Sequence, residues 1–336
     1  MNIIIYSPLF YPSIGGLETI VSILAHEFVD QGHEVKLVSQ TPATDSKSFP
    51  FEVIRRPNAR QLLKLTHWCD VFFQGCVSLK GIWPLFIIPK YLIITHQTWY
   101  RRSDNSLGWQ DYLKYFVSRF ATNISISNAV AEYIPARSIV IPNSYRDDVF
   151  YEIPEIPRDK ELVFLGRLVS DKGVDLLLEA LANLKSIGLT PKLTIIGGGA
   201  EESQLHQQAK DLDIINQIDF VGTKVEQELA QILNAHKIMV VPSRWQEPFG
   251  IVALEGIACG CVVIGSQGGG LKDAIGPCGV TFPNGDVIAL TQTLANLLKE
   301  PDQLSQYRQE TVSHLSRHQK AEVAKAYLQV FEEAIS

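Results

Sequence analysis

A strand-helix-strand pattern opens this chain, and the same pattern begins again in its middle. Asn2 to Ser7 is a short continuous apolar run, followed by a loop of prolines and glycines, a helical pattern from Leu17 to Gln31 and a second strand-like run, Glu34 to Ser39. IPEIPRDK, from Ile153 to Lys160, is a proline-punctuated connection, and at Glu161 the order resumes. LVFLG, a helix over Val174 to Ile187, KLTIIGGG, a helix over Glu201 to Leu212, IDFVG, a helix over Gln227 to His236 and IMVVPS follow in turn. EPFGIVALEGIACG then reads as a loop entering a helix, CVVIG as a strand, and a glycine run leads to two more helical stretches. Strands apolar along their whole length must be covered on both faces, which parallel sheets between helices provide. The expected fold is α/β, with two tandem Rossmann-like doubly wound parallel sheets and ligands at the carboxyl ends of their strands. The expected domains are 1–155 and 156–318, with the amphipathic stretch 319–336 crossing back to brace the first.

At 336 residues the chain is long enough for two such cores. Its 30 Lys and Arg against 36 Asp and Glu leave a net charge of −6, which argues against a nucleic-acid partner. Up to Glu155 the count is 14 basic and 14 acidic, and beyond it 16 and 22, so the acidic surplus lies in the second half. Cys69, Cys76, Cys259, Cys261 and Cys278 are odd in number and lack paired metal-ligand spacing, so they read as reduced, mostly buried thiols with no metal site. The first residues lack a basic leader, and the apolar run from Gly81 to Trp99 is broken by Pro84, Pro89, Lys90 and His96. The expectation is a cytoplasmic protein, at most attached to the inner face of the plasma membrane. Two features bear on that attachment. Trp83, Phe86, Ile87 and Ile88 offer an apolar patch, for which an ordinary buried element is the plainer account. Between Lys80 and Arg119 there are six basic and two acidic residues, a local +4 that suits weak contact with an anionic membrane or substrate as well as it suits a solvated face.

Chemistry concentrates where strands end. LGRLVSDKG sets Arg167 just beyond a strand and Lys172 at the mouth of the next helix, a planar fork and a point charge that suit a diphosphate beside a helix amino end. Two accidental cations in a solvated loop are the competing account. EPFGIVALE sets Glu247 before a helix and Glu255 inside it, eight positions on, with Gly250 between them. Carboxylates accept hydrogen bonds from vicinal hydroxyls such as those of a sugar or ribose, whereas a dipole-stabilised glutamate plus a surface one is the plain alternative. A dinucleotide fold is disfavoured, because SPLFYPSIGG after the first strand and GGGAEE at Gly197 to Glu202 both lack the required glycine spacing.

The basic pair, the two glutamates and the glycine run GSQGGGLKDA together resemble glycosyltransferase family 4, retaining enzymes of the GT-B fold, over nearly the whole chain. The resemblance implies two Rossmann-like domains facing across a cleft. It implies that Arg167 and Lys172 clamp the donor diphosphate, that Glu255 holds the ribose, and that Glu247 meets the donor sugar hydroxyls. Phe249, Gly250 and Ile251 complete that donor-binding segment. Gly15 and Gly16, in SIGGLE, match the glycines that approach the donor phosphate, and His96, in ITHQTWY, matches a histidine beside the reacting centre. Tyr100, Arg101 and Arg102 follow on the acceptor side, where the arginines suit a phosphate or uronic carboxylate. The implied partners are a nucleoside-diphosphate sugar and a glycan or lipid-linked acceptor, with no cofactor and no metal. The sequence departs from the family pattern where Lys272 and Asp273 follow Gly268 to Gly270, and where Ser144 and Arg146 follow Asn143. A catalytically silent sugar-nucleotide-binding protein and a same-fold epimerase remain as competing functions.

Overall fold

The computed structural model of the protein describes residues 1–13, 15–42, 47–100 and 107–336. Arg101 and Arg102 lie outside the described residues. Two parallel sheets form. The first holds β1 (Asn2–Ser7), β2 (Glu34–Ser39), β3 (Glu52–Arg55), β4 (Val71–Gln74), β5 (Tyr91–His96), β6 (Thr122–Ser125) and β7 (Ser138–Val140) in the order β3-β2-β1-β4-β5-β6-β7. The second holds β8 (Lys160–Leu165), β9 (Leu193–Ile196), β10 (Ile218–Gly222), β11 (His236–Val241), β12 (Val262–Ser266) and β13 (Gly279–Phe282) in the order β10-β9-β8-β11-β12-β13. In each order the direction of winding reverses once, between β1 and β4 and between β8 and β11. Such switch points leave a crevice at the strand carboxyl ends.

The apolar runs become central strands because both of their faces are buried. Ile3, Ile4 and Ile5 of β1 are fully enclosed, as are Leu162 and Val163 of β8 and Ile238, Met239 and Val240 of β11. The helix Val174–Ser186 buries Val174, Leu177, Leu178, Leu181 and Leu184, a stripe at helical spacing, into the core that holds Phe164, Ile195, Leu290 and Leu294. The helix read as ending at His236 stops at Asn234, because His236 pairs with Lys160 and opens β11.

The chain divides into two compact units, Met1–Ser144 with Lys320–Ser336, and Tyr145–Gln319. The division falls earlier than the proline-punctuated connection. Side-chain hydrogen bonds explain why: Asn234 Oδ1 accepts from the Ile153 amide at 2.8 Å and its Nδ2 donates to the Tyr151 carbonyl at 3.0 Å, which ties the start of the connection and a residue before it to the second unit. The final helix, Lys320–Ile335, packs in the first unit. Phe331 lies 5.4 Å from Phe28 and 5.3 Å from Phe73, and the Tyr327 hydroxyl is 2.9 Å from Thr95 Oγ1. Burying Tyr327 and Phe331 contributes roughly 1.5–3 kcal/mol per side chain and fixes the end of β5, where His96 sits.

Candidate active site

Two loops meet at the switch point of the second sheet. The loop after β8 carries exposed Arg167 and a short turn, Ser170–Lys172, and the loop after β11 carries Ser243, Arg244 and Glu247. Their backbones are joined, since the Asp171 carbonyl accepts from the amides of Arg244 at 2.9 Å and Trp245 at 3.1 Å. Side chains add two further ties. Arg244 grips the Asp175 carboxylate with both terminal nitrogens, each at 2.5 Å. Lys172 Nζ donates to Glu247 Oε1 at 2.5 Å, and Ser243 Oγ donates to the same oxygen at 2.8 Å. Arg167 makes no side-chain hydrogen bond or ion pair among the described residues.

Two glycines permit this approach. Gly173 has φ +67°, and a Cβ there would overlap the Pro242 carbonyl. Gly269 has φ +70°, and a Cβ there would overlap the Glu247 carbonyl, which accepts the Gly270 amide at 2.7 Å. The glycine run therefore presses against the backbone of Glu247. Asn284 completes the frame. Its Oδ1 accepts from the Gly268 amide at 2.6 Å while its Nδ2 reaches the Ser243 and Arg244 carbonyls at 3.3 and 3.4 Å.

Glu255 lies on the helix Ile251–Ala258, which Gly250 caps. Its carboxyl makes no hydrogen bond among the described residues. Burial raises its pKa to about 7, and the charge of Arg146 pulls it partly back. Arg146 is itself held by Asp148, through Nε at 3.1 Å and Nη2 at 2.9 Å. Glu247 is thus paired with a cation, whereas Glu255 is not, since the guanidinium whose charge reaches it is held by Asp148. Phe249 turns its ring inward, buried and 5.8 Å from His318.

In the first unit, Gly15 caps the helix Gly16–Asp30 at the carboxyl end of β1, and Ser13 Oγ donates to Glu18 Oε1 at 2.7 Å. His96 closes β5, but its ring does not open onto a cleft. It is fully buried, Nδ1 is 2.7 Å from the Tyr100 hydroxyl, and Nε2 is 2.9 Å from Asn123 Oδ1. Asn123 donates through Nδ2 to Ser118 O, which leaves Oδ1 as the acceptor, so Nε2 carries the proton and Tyr100 donates to Nδ1. Burial lowers the His96 pKa to about 4 and keeps the ring neutral. Tyr100 is likewise buried, with its hydroxyl on His96. Of the other apolar candidates, Trp83 packs toward the core around Phe72, whereas Phe86 and Ile87 are exposed.

Of the residues singled out in the sequence, the structure joins Lys172 to Glu247, and around them it adds Ser243, the Arg244–Asp175 pair and Asn284, which the sequence did not single out. These side chains join loops far apart in the chain, and no spacing announces them.

Residues 146–313, half of the 336-residue chain, match the family model for glycosyl transferases group 1. The chain belongs to that family. Over 143 residues it is 36% identical to a glycogen synthase of Mycobacterium tuberculosis, a match that covers 42% of this chain and 34% of that protein. The chain therefore spans about a third of that relative's length. It is 27% identical over 263 residues to a phosphatidyl-myo-inositol mannosyltransferase of Mycobacterium leprae, covering 75% of this chain and 70% of that one. Among solved structures, HepE of Anabaena in complex with UDP superposes with a TM-score of 0.83 at 17% identity, over 99% of this chain and 100% of that one. The shared fold is GT-B.

Proposed function

We propose that the chain is a metal-independent, retaining glycosyltransferase. It moves a hexose from a nucleoside-diphosphate sugar, a UDP-sugar in preference to a GDP-sugar, to a hydroxyl of a glycan or lipid-linked acceptor in cell-surface polysaccharide or glycolipid synthesis. The observation that carries this reading is the cluster of Lys172, Glu247 and Ser243 at a sheet's switch point, on whose β8 loop Arg167 also stands. The preference for UDP is supported by HepE, a protein of the same fold described in complex with UDP and with UDP-glucose. The lipid-linked acceptor is supported by the likeness to a phosphatidyl-myo-inositol mannosyltransferase.

In this reaction the bond from the anomeric carbon to the leaving phosphate breaks as the bond to the acceptor oxygen forms on the same face, and the acceptor proton passes to the leaving phosphate. The second unit binds the donor. Arg167 and Lys172 stabilise the charge growing on the leaving phosphate, Glu247 holds the sugar hydroxyls, and Glu255 holds the ribose. The first unit takes the acceptor, and its Gly15 and Gly16, where the helix Gly16–Asp30 begins, approach the donor phosphate. His96 and Tyr100 act there as positioning residues at the end of β5.

A thermal-shift screen of nucleoside diphosphates and their sugars tests the proposal. A UDP-sugar at about a hundred times its dissociation constant adds roughly 2.7 kcal/mol of stability. No stabilisation by any nucleoside diphosphate overturns it.

A further inference from the structure

Most surface helices turn their apolar stripe inward. The helix Trp109–Ser118 does the reverse. Trp109, Tyr112 and Phe116 are 68%, 62% and 57% exposed, and Phe120, just past the helix end, is 73% exposed. With Leu113 they recur at helical spacing along one face. The polar residues take the inner side instead. Lys114 Nζ pairs with Asp111 at 2.9 Å and sits 5.2 Å from the Tyr100 ring centre, the Tyr115 hydroxyl donates to the Tyr100 carbonyl at 3.3 Å, and Ser118 is buried. The outer stripe continues beyond the helix. Phe120 lies 5.1 Å from Phe116 and precedes β6, whose neighbour β5 opens on exposed Tyr91.

We propose that this outward aromatic stripe is a docking surface for an anionic lipid bilayer. Three observations select that occupant. The stripe is built of Trp, Tyr and Phe, which favour the boundary between water and hydrocarbon. Cations border it, since Arg119 stands next to Phe120 and Lys90 next to Tyr91, within a chain whose net charge is −6. A second copy docked through a two-fold axis would set that positive rim against itself. No described helix is long and apolar enough to cross a membrane, so the contact is one of lying on the surface. The proposal deepens the lipid-linked acceptor reading and rests on it for its purpose, which is to hold the site at the surface where such an acceptor resides. The binding itself is tested without any transfer assay.

The experiment is sedimentation of the full chain with phosphatidylglycerol-containing vesicles and with pure phosphatidylcholine vesicles. Nucleotide-induced thermal shift is measured on the same samples. The expected result is partition into the anionic vesicles that falls with salt, drops about fivefold in Arg119→Gln, and is lost in the triple variant Trp109→Gln, Phe116→Gln, Phe120→Gln. Both variants should melt as the parent does and keep its nucleotide shift, because the replaced side chains lie in solvent. Equal partition of parent and triple variant overturns the proposal. So does absence of binding to anionic vesicles, or a parent whose mass doubles with concentration while the triple variant stays monomeric. Loss of the nucleotide shift in the parent counts against the donor reading and leaves the vesicle result standing.

Discussion

Lys172 and Glu247, 75 positions apart in sequence, share a hydrogen bond of 2.5 Å at the switch point of the second sheet. The cation proposed for the diphosphate and the carboxylate proposed for the sugar are therefore set against each other by the fold, one on each loop. A donor that bridges the two must exchange this contact for its own. Lys172→Ala and Arg167→Ala are each expected to lower turnover by about a hundredfold to a thousandfold, the usual effect of losing one preorganised charge-stabilising group. Because both partners of the ion pair are partly exposed, its loss costs about 1 kcal/mol of stability or less. Steady-state kinetics beside thermal melting check both halves, and near-normal turnover in the double variant would remove the pair from the mechanism.

The same two loops are also held by backbone contact, which gives a sharper test of their placement. At Gly173 a methyl group would collide with the Pro242 carbonyl in a backbone region that other residues rarely adopt. Gly173→Ala is expected to cost roughly 1–3 kcal/mol and to reduce donor affinity by moving Lys172 away from Glu247. Calorimetry with a sugar nucleotide measures the affinity. An unchanged dissociation constant would show that the loop spacing does not matter to binding.

Strands β1, β2 and β8 to β12 are legible in the sequence as apolar runs, and β1 and β2 begin and end where the runs do; β3, β4, β6, β7 and β13 are only three or four residues long, too short to show a period. Arg167, Lys172 and Glu247 are legible for a related reason, since charge placed directly after such a run must lie at a strand end. The braces are not legible. Arg244 and Asp175 meet only because β8 and β11 are neighbours, and that adjacency is a product of the whole sheet. The helix Trp109–Ser118 has the period of any amphipathic helix, and periodicity does not say which face turns inward.

Glu255 gives a pH signature. Its pKa rises from 4.5 to about 7 on folding because burial disfavours the charged form. A carboxyl shifted upward contributes stability that is present below about pH 4.5 and lost as pH rises through 7, on the order of 3 kcal/mol. Glu255→Gln should therefore melt higher than the parent at pH 8, with the difference gone near pH 5. A sugar nucleotide, whose diphosphate carries no proton in this range, should bind the parent more tightly as pH rises from 6 to 8, when Glu255 becomes a full acceptor for ribose hydroxyls. Parallel curves for parent and variant would refute the assignment.

His96 titrates in the opposite sense. Its pKa falls from 6.5 to about 4 in the folded protein, where the buried ring is neutral between Tyr100 and Asn123. Folding stability is thus fully present above pH 6.5 and declines toward pH 4 as the unfolded chain takes up the proton, by roughly 3 kcal/mol. His96→Gln should flatten that slope in melting curves taken from pH 7 to pH 4. Tyr100→Phe removes the hydroxyl that donates to Nδ1, leaves a buried acceptor unpaired, and should cost about 1–3 kcal/mol at neutral pH. If His96 positions the end of β5 rather than exchanging protons, both variants lower transfer far more than donor binding, and the pH profile of transfer keeps its shape. A profile that loses its acid limb in His96→Gln but not in Tyr100→Phe would return the ring to the chemistry, because only a proton carried on the imidazole itself gives that result.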